Sequence, residues 1–328
     1  MREEAPTPES VGRIELCPDG PIVAGARGTW RLTYTAGASG IEVGGGLRIF
    51  PPHKGHTFWE LGKVTARCSR EGATVDVETF NAGPYTSHHS NPPHIRVTVY
   101  GEPLAEGDTI TVTIGERGGY SRGYFGLARA ADHAWEGYAF EVFVDVLGNG
   151  ARPREFDRPD AFVELEDAPV VEVIADAPAR LHVIARPPGG PDDDSVSLVI
   201  SARDQYGNLA DYSGRLKVEC TDPAADVPDE IAVEPEDGGC RSVEGLRVSA
   251  GGARITVYDP ARELIGTSNV AAPGFADEEQ VYFGDLHVMT GTFGGGMLAN
   301  TEYAYRWARD VQGLDFSVVT SSGREGTW

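Results

Sequence analysis

Short segments in which apolar and polar residues alternate recur along most of the chain, and they constrain its fold more than any other feature. In residues 28–35 the apolar members of the alternation are Trp30, Leu32 and Tyr34. Because successive side chains of a strand point to opposite faces, such segments form strands with one buried face. Glycine and proline number 42 and 22 of 328 residues, which is usual for many short strands and turns. The pattern predicts a mainly β protein.

The N-terminal half contains strands of this kind at a spacing of about ten residues, without long helical patterns between them. This spacing favours an antiparallel sandwich. We therefore expect an N-terminal β-sandwich domain over residues 1–165. Its expected strands are 28–35, 46–50, 73–80, 94–100, 108–114 and 138–146.

A polar, turn-rich stretch at residues 147–165 marks the first expected domain boundary. We expect a second β domain over residues 166–272. A length of about 100 residues with about seven strands is typical of an immunoglobulin-like β-sandwich. The expected strands are 169–174, 180–185, 195–202, 214–220, 245–248 and 252–258.

The pattern changes after a short linker at residues 271–280. An almost continuous apolar run at 281–286 predicts a buried parallel strand. Residues 301–311 predict a helix capped by Asn300 and ended by Gly313. One face of this helix is apolar, and its members are Tyr303, Trp307, Ala308 and Val311.

A further strand is expected at residues 314–320, so residues 281–328 form one strand–helix–strand unit. Such a unit cannot bury both faces of its sheet, and a complete (β/α) barrel needs about 250 residues. We expect a partial α/β segment that either packs on the second β domain or lowers the solubility of the protein.

The net charge of the chain is −22, from 28 Lys and Arg against 50 Asp and Glu. An acidic surface of this size argues against nucleic acid and anionic membranes as partners. No apolar run reaches the roughly 18 residues of a membrane span. Since no leader sequence is visible either, a cytoplasmic location is expected.

The four cysteines, Cys17, Cys68, Cys220 and Cys240, form no CxxC pair, so they predict no zinc site. Cys220 and Cys240 flank one loop. A disulfide between them is one alternative, and free buried thiols are the favoured one.

Asp285 and His287 are the candidate metal ligands. They stand two residues apart on the expected strand 281–286 and its extension, so both side chains leave the same face. That arrangement suits joint coordination of one ion. An isolated pair of this kind is more often a strand end with a capping Asp and a half-buried His, and this second interpretation stays open here.

The sequence around this pair resembles that of a known protein family. Residues 282–287 (YFGDLH), 301–310 (TEYAYRWARD) and 314–316 (LDF) resemble an uncharacterised family of PHP-like metallohydrolases, the polymerase and histidinol phosphatase type. The segments 28–30, 44–49 and 268–270 are similar to its upstream β region. The resemblance covers the whole chain and is sharpest over residues 281–316.

The resemblance implies metal-dependent hydrolysis of the phosphoesterase type, with Mn, Zn or Mg as the divalent cofactor. His287 matches the first histidine of the family's H-x-H motif, and Asp285 matches the preceding acid. Met289 stands where the second histidine belongs, and 320–322 (TSS) replaces an acid–histidine pair. Asp285 and His287 are therefore a weak, partial site, because a thioether is a poor ligand for such ions.

Three functional hypotheses follow. The first is the N-terminal portion of a PHP-like hydrolase with a truncated, inactive catalytic domain that needs a downstream segment or another chain. The second is a non-catalytic β-sandwich module that binds a glycan or a protein. A carbohydrate platform would then be lined by aromatic residues, unless they belong to the core: Trp59, Tyr85, Tyr120, Tyr124 and Trp135. The third is an active metalloenzyme completed by oligomers. Whether the chain is an enzyme stays uncertain at this point.

Overall fold

A computed structural model of the chain describes residues 7–54, 57–80, 94–118, 126–148, 162–186, 195–249, 251–272, 282–289 and 301–320. Contacts divide the chain into two compact units, Met1–Ile174 and Ala175–Trp328. Both are built mainly from strands, which confirms the expected fold class at that level. The domain limits 1–165, 166–272 and 281–328 stay predictions.

The first unit begins with a helical turn, α1 (Pro8–Val11), and continues in strands. In chain order its described strands are β1 Gly12–Cys17, β2 Ile22–Val23, β3 Arg27–Gly28, β4 Trp30–Ala36, β5 Gly46–Phe50, β6 His53–Lys54, β7 Thr57–Phe58, β8 Val64–Cys68, β9 Ala73–Phe80, β10 His94–Gly101, β11 Thr109–Ile114, β12 Ala128–Arg129, β13 Trp135–Ala139, β14 Glu141–Asp145, β15 Phe162–Glu164 and β16 Val170–Ile174.

Two main sheets form the sandwich of the first unit. A four-stranded sheet has the order β1-β4-β11-β8, and a five-stranded sheet has the order β15-β14-β5-β10-β9. Neighbouring strands in both sheets are antiparallel, as expected. The residues that alternate inward from both sheets meet in one apolar core, with Leu32, Ile49 and Val112 fully buried.

The second unit contains a three-stranded and a four-stranded sheet, ordered β17-β18-β21 and β20-β19-β22-β23, which enclose a second apolar core. Its strands are β17 Arg180–Arg186, β18 Val196–Arg203, β19 Gly214–Cys220, β20 Glu230–Val233, β21 Cys240–Leu246, β22 Ile255–Asp259 and β23 Leu264–Thr267, with a 3₁₀ turn at Pro235–Asp237. Seven strands in two antiparallel sheets are the expected β-sandwich.

Some strands differ from the sequence expectations. Val170–Ile174, expected in the second β domain, pairs with β13 and β2 of the first unit. The strand expected at 245–248 lies earlier, as β21, because this strand pairs with β18 from Cys240 onward. The short strands β20 and β23 were not expected at all.

Residues of the C-terminal segment form β24 (Gly284–Met289), α2 (Thr301–Arg306), a π-helical turn (Trp307–Val311) and β25 (Phe316–Thr320). β24 and β25 pair in parallel, so the expected strand–helix–strand unit is present. Its first strand is not buried, however. Tyr282, Phe283 and Leu286 are 54%, 52% and 69% exposed, because the described sheet has two strands and one open face.

The π-helical turn packs on the three-stranded sheet of the second unit. Arg203 of β18 donates hydrogen bonds to the carbonyl oxygens of Val311 (3.1 Å) and Gly207 (3.3 Å) and lies 5.2 Å over the Trp307 ring. Arg186 of β17 donates to the carbonyl oxygens of three further residues, Arg309 (2.8 Å), Leu314 (2.9 Å) and Gly313 (3.3 Å). The structure thus shows the expected docking on the second β unit.

In the described ranges, neither α-helix has the length or apolar content that a bilayer crossing requires. The cytoplasmic location stays a prediction. The structure contains Cys17, Cys68, Cys220 and Cys240 as free thiols, so the disulfide alternative is not formed.

Candidate binding surface

The predicted metal pair lies on β24 in the second unit. Asp285 has an exposed side chain and stands beside Ser317 in the register of β24 and β25. The side chain of His287 lies outside the described part of the structure, as does residue 321 onward. The two-residue metal site and its Mn, Zn or Mg ion therefore stay predictions.

Two residues of the predicted aromatic platform, Trp59 and Trp135, are described, whereas Tyr85, Tyr120 and Tyr124 lie outside the described residues. Trp59 is 1% exposed and packs in the core against Trp30, with ring centroids 4.6 Å apart. Trp135 is half-buried on β13.

A different surface gathers aromatic and cationic side chains: the face of the five-stranded sheet that points away from the core, called the outer face below. Along β5 the core-facing residues are Leu47 and Ile49, so Arg48 and Phe50 point outward. On β10 the same alternation turns Ile95 and Val97 inward. His94 and Arg96 therefore share the outer face with Arg48 and Phe50.

Strand register places one set of these residues side by side across all five strands. Glu164 pairs with Phe143, Phe143 with Arg48, Arg48 with Arg96, and Arg96 with Glu78. This cross-strand set, called the arginine row, extends about 19 Å at about 4.8 Å per strand. The two arginines occupy its centre, and a carboxylate stands at each end.

Aromatic rings line the outer face beside the arginine row. The Phe80 and His94 rings are stacked, with centroids 4.4 Å apart and planes at 9°. Phe50 continues the group at 5.2 Å from His94 and 5.8 Å from Phe143. These rings form a nearly continuous apolar strip from β9 to β14.

Side chains of the outer face are more buried on β14 than on β9. Phe143 and Asp145 on β14 are 6% and 3% exposed, whereas Phe80 on β9 is 40% exposed. Arg48 and Arg96 lie between, both half-buried. At the β14 end Phe162 lines a small cavity of about 20 Å³ together with Arg48 and Arg96. Phe162 also lines a separate groove of about 720 Å³ along β15. The outer face is thus covered toward β14 and open toward β9, and it is called the cleft below.

Arg48 is held in this cleft by aromatic rings rather than by acceptors. Its guanidinium carbon lies 5.5 Å from the Phe162 centroid and 6.0 Å from that of Phe50. Its Nε is buried and has no hydrogen-bond partner in the part of the chain that is described. Burial, followed by repulsion from Arg96, lowers the pKa of Arg48 below its usual value.

Arg96 has a weak partner only. Its Nη1 lies 3.9 Å from the Glu78 carboxylate, which is itself 56% exposed. An ion pair this long and this open to water contributes little. The centre of the arginine row therefore carries two cations, and the buried carboxylate of Asp145 lines the same small cavity as both of them.

Sequence reasoning missed this surface although one signal for it was visible. The alternation that predicts β5 and β10 also implies that Arg48, Phe50, His94 and Arg96 lie on the faces opposite the core residues. The pairing of β5 with β10 is not contained in that alternation. Without the register, the two arginines could not be assigned to one place.

No family model and no curated protein matches the chain. Among solved structures, the D0–D1 domain of intimin is 7% identical, with TM-score 0.22 over 79% of this chain and 96% of that one. InvD of Yersinia pseudotuberculosis is 12% identical, with TM-score 0.31 over 84% and 62%. The Escherichia coli adhesin FdeC is 15% identical, with TM-score 0.28 over 80% and 64%.

These findings overturn the resemblance to PHP-like metallohydrolases. No family model of this or any other kind matches the chain. The hypothesis that the chain is the N-terminal portion of a PHP-like, phosphoesterase-type hydrolase is therefore wrong.

Proposed function

We propose that the chain is a non-catalytic binding module and that the outer face of the five-stranded sheet binds a glycan. The observation that carries the proposal is the strip formed by Phe50, His94 and Phe80, which runs beside two half-buried arginines in an open-ended cleft. Binding sites combine such apolar walls with a few fixed polar groups.

A glycan suits the chemistry of this strip. A sugar ring has apolar C–H faces that pack against aromatic rings, and hydroxyl groups at its edge that accept hydrogen bonds from arginine. The arginine row is about 19 Å long, which matches a short oligosaccharide lying across the strands. A sheet also holds its side chains more rigidly than a loop does, so little entropy is lost on binding.

The described residues favour binding over catalysis. They contain no group of three metal-ligating side chains. The arginines at the centre of the cleft cannot exchange a proton near neutral pH, so they act as fixed donors rather than as general acids or bases.

An oligosaccharide array with the full-length protein tests the proposal. The wild type is expected to bind at least one oligosaccharide on the array. Replacement of the exposed ring, Phe80→Ala, is expected to weaken that binding at least tenfold, because the strip loses its outermost ring. Phe80 is 40% exposed, so the change leaves the core intact.

Phe283→Ala provides the matched control. Phe283 is 52% exposed and lies in the second unit, remote in sequence from the strip. It is expected to bind the same oligosaccharides as the wild type. Absence of binding by the wild type, or equal loss in both variants, contradicts the proposed function.

A further inference from the structure

The arginine row points to the class of glycan, and this inference rests on the proposed function. We propose that the cleft selects oligosaccharides that carry a single carboxylate, which binds between Arg48 and Arg96. The aromatic strip would hold the neutral sugar rings, and the arginine pair would hold the acidic group.

Strand pairing brings the two arginines close together. Arg48 and Arg96 are directly opposite in the antiparallel pairing of β5 and β10, where side chains start about 5 Å apart. Like charges in that position repel each other. An anion between the two guanidinium groups would turn the repulsion into two attractions.

One buried donor of Arg48, its Nε, has no hydrogen-bond acceptor among the described residues. A buried donor without a partner destabilises the fold, and it does so more strongly when it is charged. Arg48 Nε is in this state within the described residues, and the Phe162 and Phe50 ring centroids lie 5.5 Å and 6.0 Å from the guanidinium carbon. Because Nε itself is buried, a ligand oxygen would meet the remaining part of this half-buried guanidinium group.

The shape of the guanidinium group favours a carboxylate as its ligand. The guanidinium group presents its donors as a planar fork that matches the two oxygens of a carboxylate. Two such forks side by side can share one carboxylate. A neutral hydroxyl group would satisfy one donor without compensating either charge.

Acidic residues around the arginine pair limit the ligand to a single negative charge. Glu164 and Glu78 stand at the two ends of the arginine row, and Glu141 pairs with Phe50 beside it. The whole chain carries a net charge of −22. Repeated charges along a polyanion would therefore meet carboxylates on both sides of the arginine pair and would be repelled.

Isothermal titration with three tetrasaccharide-based probes tests the inference. The probes are xylotetraose, xylotetraose with one glucuronic acid branch, and tetragalacturonate. The branched probe is expected to bind about tenfold more tightly than xylotetraose, and tetragalacturonate more weakly than the branched probe. Arg48→Gln is expected to remove the tenfold preference, so that the branched probe binds no more tightly than xylotetraose.

Arg67→Gln is the matched control, because Arg67 is an exposed arginine on β8 of the other sheet. It should keep the preference. Equal binding of the neutral and the branched probe contradicts the inference but leaves the proposed function intact. Tightest binding of tetragalacturonate overturns the single-carboxylate choice.

A direct measurement covers the case of weak affinity. In the wild type, the NMR signal of the Arg48 side-chain Nε–H is expected to shift on titration with sodium glucuronate and to stay in place with glucose. No shift with glucuronate overturns the inference. If in addition no oligosaccharide on the array binds, the proposed function fails as well.

Discussion

One arginine in each unit lies over an aromatic ring, but only one of the two has its hydrogen-bond acceptors supplied by described residues. Arg203 in the second unit lies 5.2 Å over Trp307, and Arg48 in the first lies 5.5 Å over Phe162. Burial is the largest cause of a lowered pKa in both. They differ in their acceptors. Arg203 donates to Ser201 Oγ and to the carbonyl oxygens of two further residues, whereas the buried Nε of Arg48 has no partner among the described residues.

The difference separates a structural arginine from a binding arginine. A buried cation is tolerated when the chain itself supplies its acceptors. Arg203 meets that condition, and its hydrogen bond to Val311 ties the C-terminal segment to the sheet. Among the described residues Arg48 Nε has no acceptor, so a ligand oxygen near Arg48 would complete its surroundings. Substitutions at each position test whether the distinction is real.

The largest effect is expected at Arg203. Arg203→Met would leave the carbonyl oxygens of Val311 and Gly207 without this donor and would remove the cation over Trp307. The free energy of unfolding of the second unit is expected to fall by about 3 kcal/mol. Hydrogen exchange of peptides from residues 175–328, followed during urea titration, measures it.

Arg215→Met is the control for this change. Arg215 forms an exposed ion pair with Glu230, and its side chain is 73% exposed. Such pairs contribute little, so stability should hardly change. A loss at Arg203 no larger than at Arg215 would show that the acceptors of Arg203 are not what stabilises it.

A smaller, local effect is expected at Arg186. Arg186→Met removes the donor to the carbonyl oxygens of Arg309, Gly313 and Leu314. Residues 301–320 should open more often, at a cost of about 1–2 kcal/mol, while the sandwich stays folded. Limited proteolysis is expected to cut this segment earlier than in the wild type. Unchanged cleavage would mean that the Arg186 hydrogen bonds do not hold the segment, which would leave it to Arg203, Ser201 and Cys240.

A pH effect of smaller size is expected at His182, which forms a hydrogen bond with the backbone of Gln312. Burial, then repulsion from Arg203, lowers the pKa of His182 in the folded state. Below the ordinary value of about 6.5 the unfolded chain therefore binds more protons than the folded one. The stability of the second unit is full above that pH and falls as the pH decreases toward the lowered pKa.

Thermal melts at pH 5.5 and 7.5 measure this dependence. His182→Gln should reduce the difference between the two pH values, because the group that takes up the proton is gone. An unchanged difference would assign the pH dependence to other groups. Arg180, which also lowers the pKa of His182, offers a second variant, Arg180→Gln, which should weaken the dependence only partly.

How far the fold could be predicted depended on the length of each strand. Eight-residue strands such as Ala73–Phe80 and Val196–Arg203 show enough alternation or apolar content to be found. Glu230–Val233 and Leu264–Thr267 have four residues each, which is too short for a period to emerge. The apolar run at 281–286 was expected to be buried, but apolar content does not reveal whether a neighbouring element covers the strand.

The candidate site could be predicted even less. Asp285 and His287 were predicted as metal ligands because carboxylate and imidazole groups bind metal ions. Arg48 and Arg96, by contrast, lie 48 residues apart in sequence and meet only through the pairing of β5 with β10. Long-range register follows from packing of the whole core, not from the local pattern. The sequence therefore indicated which face each arginine occupies, but not that they are neighbours.

The smallest effect on stability is expected at Arg48, and it sharpens the comparison most. Arg48→Met removes one of two adjacent cations and leaves an apolar side chain between Phe50 and Phe162. Since no described acceptor of Nε is lost, stability of the first unit should stay the same or rise by up to about 1 kcal/mol. Hydrogen exchange of peptides from residues 1–174 measures it. A loss above about 2 kcal/mol, close to that at Arg203, would mean that the chain itself satisfies Arg48. Unchanged stability together with lost selectivity for the carboxylate would instead mark Arg48 as a residue retained for its ligand.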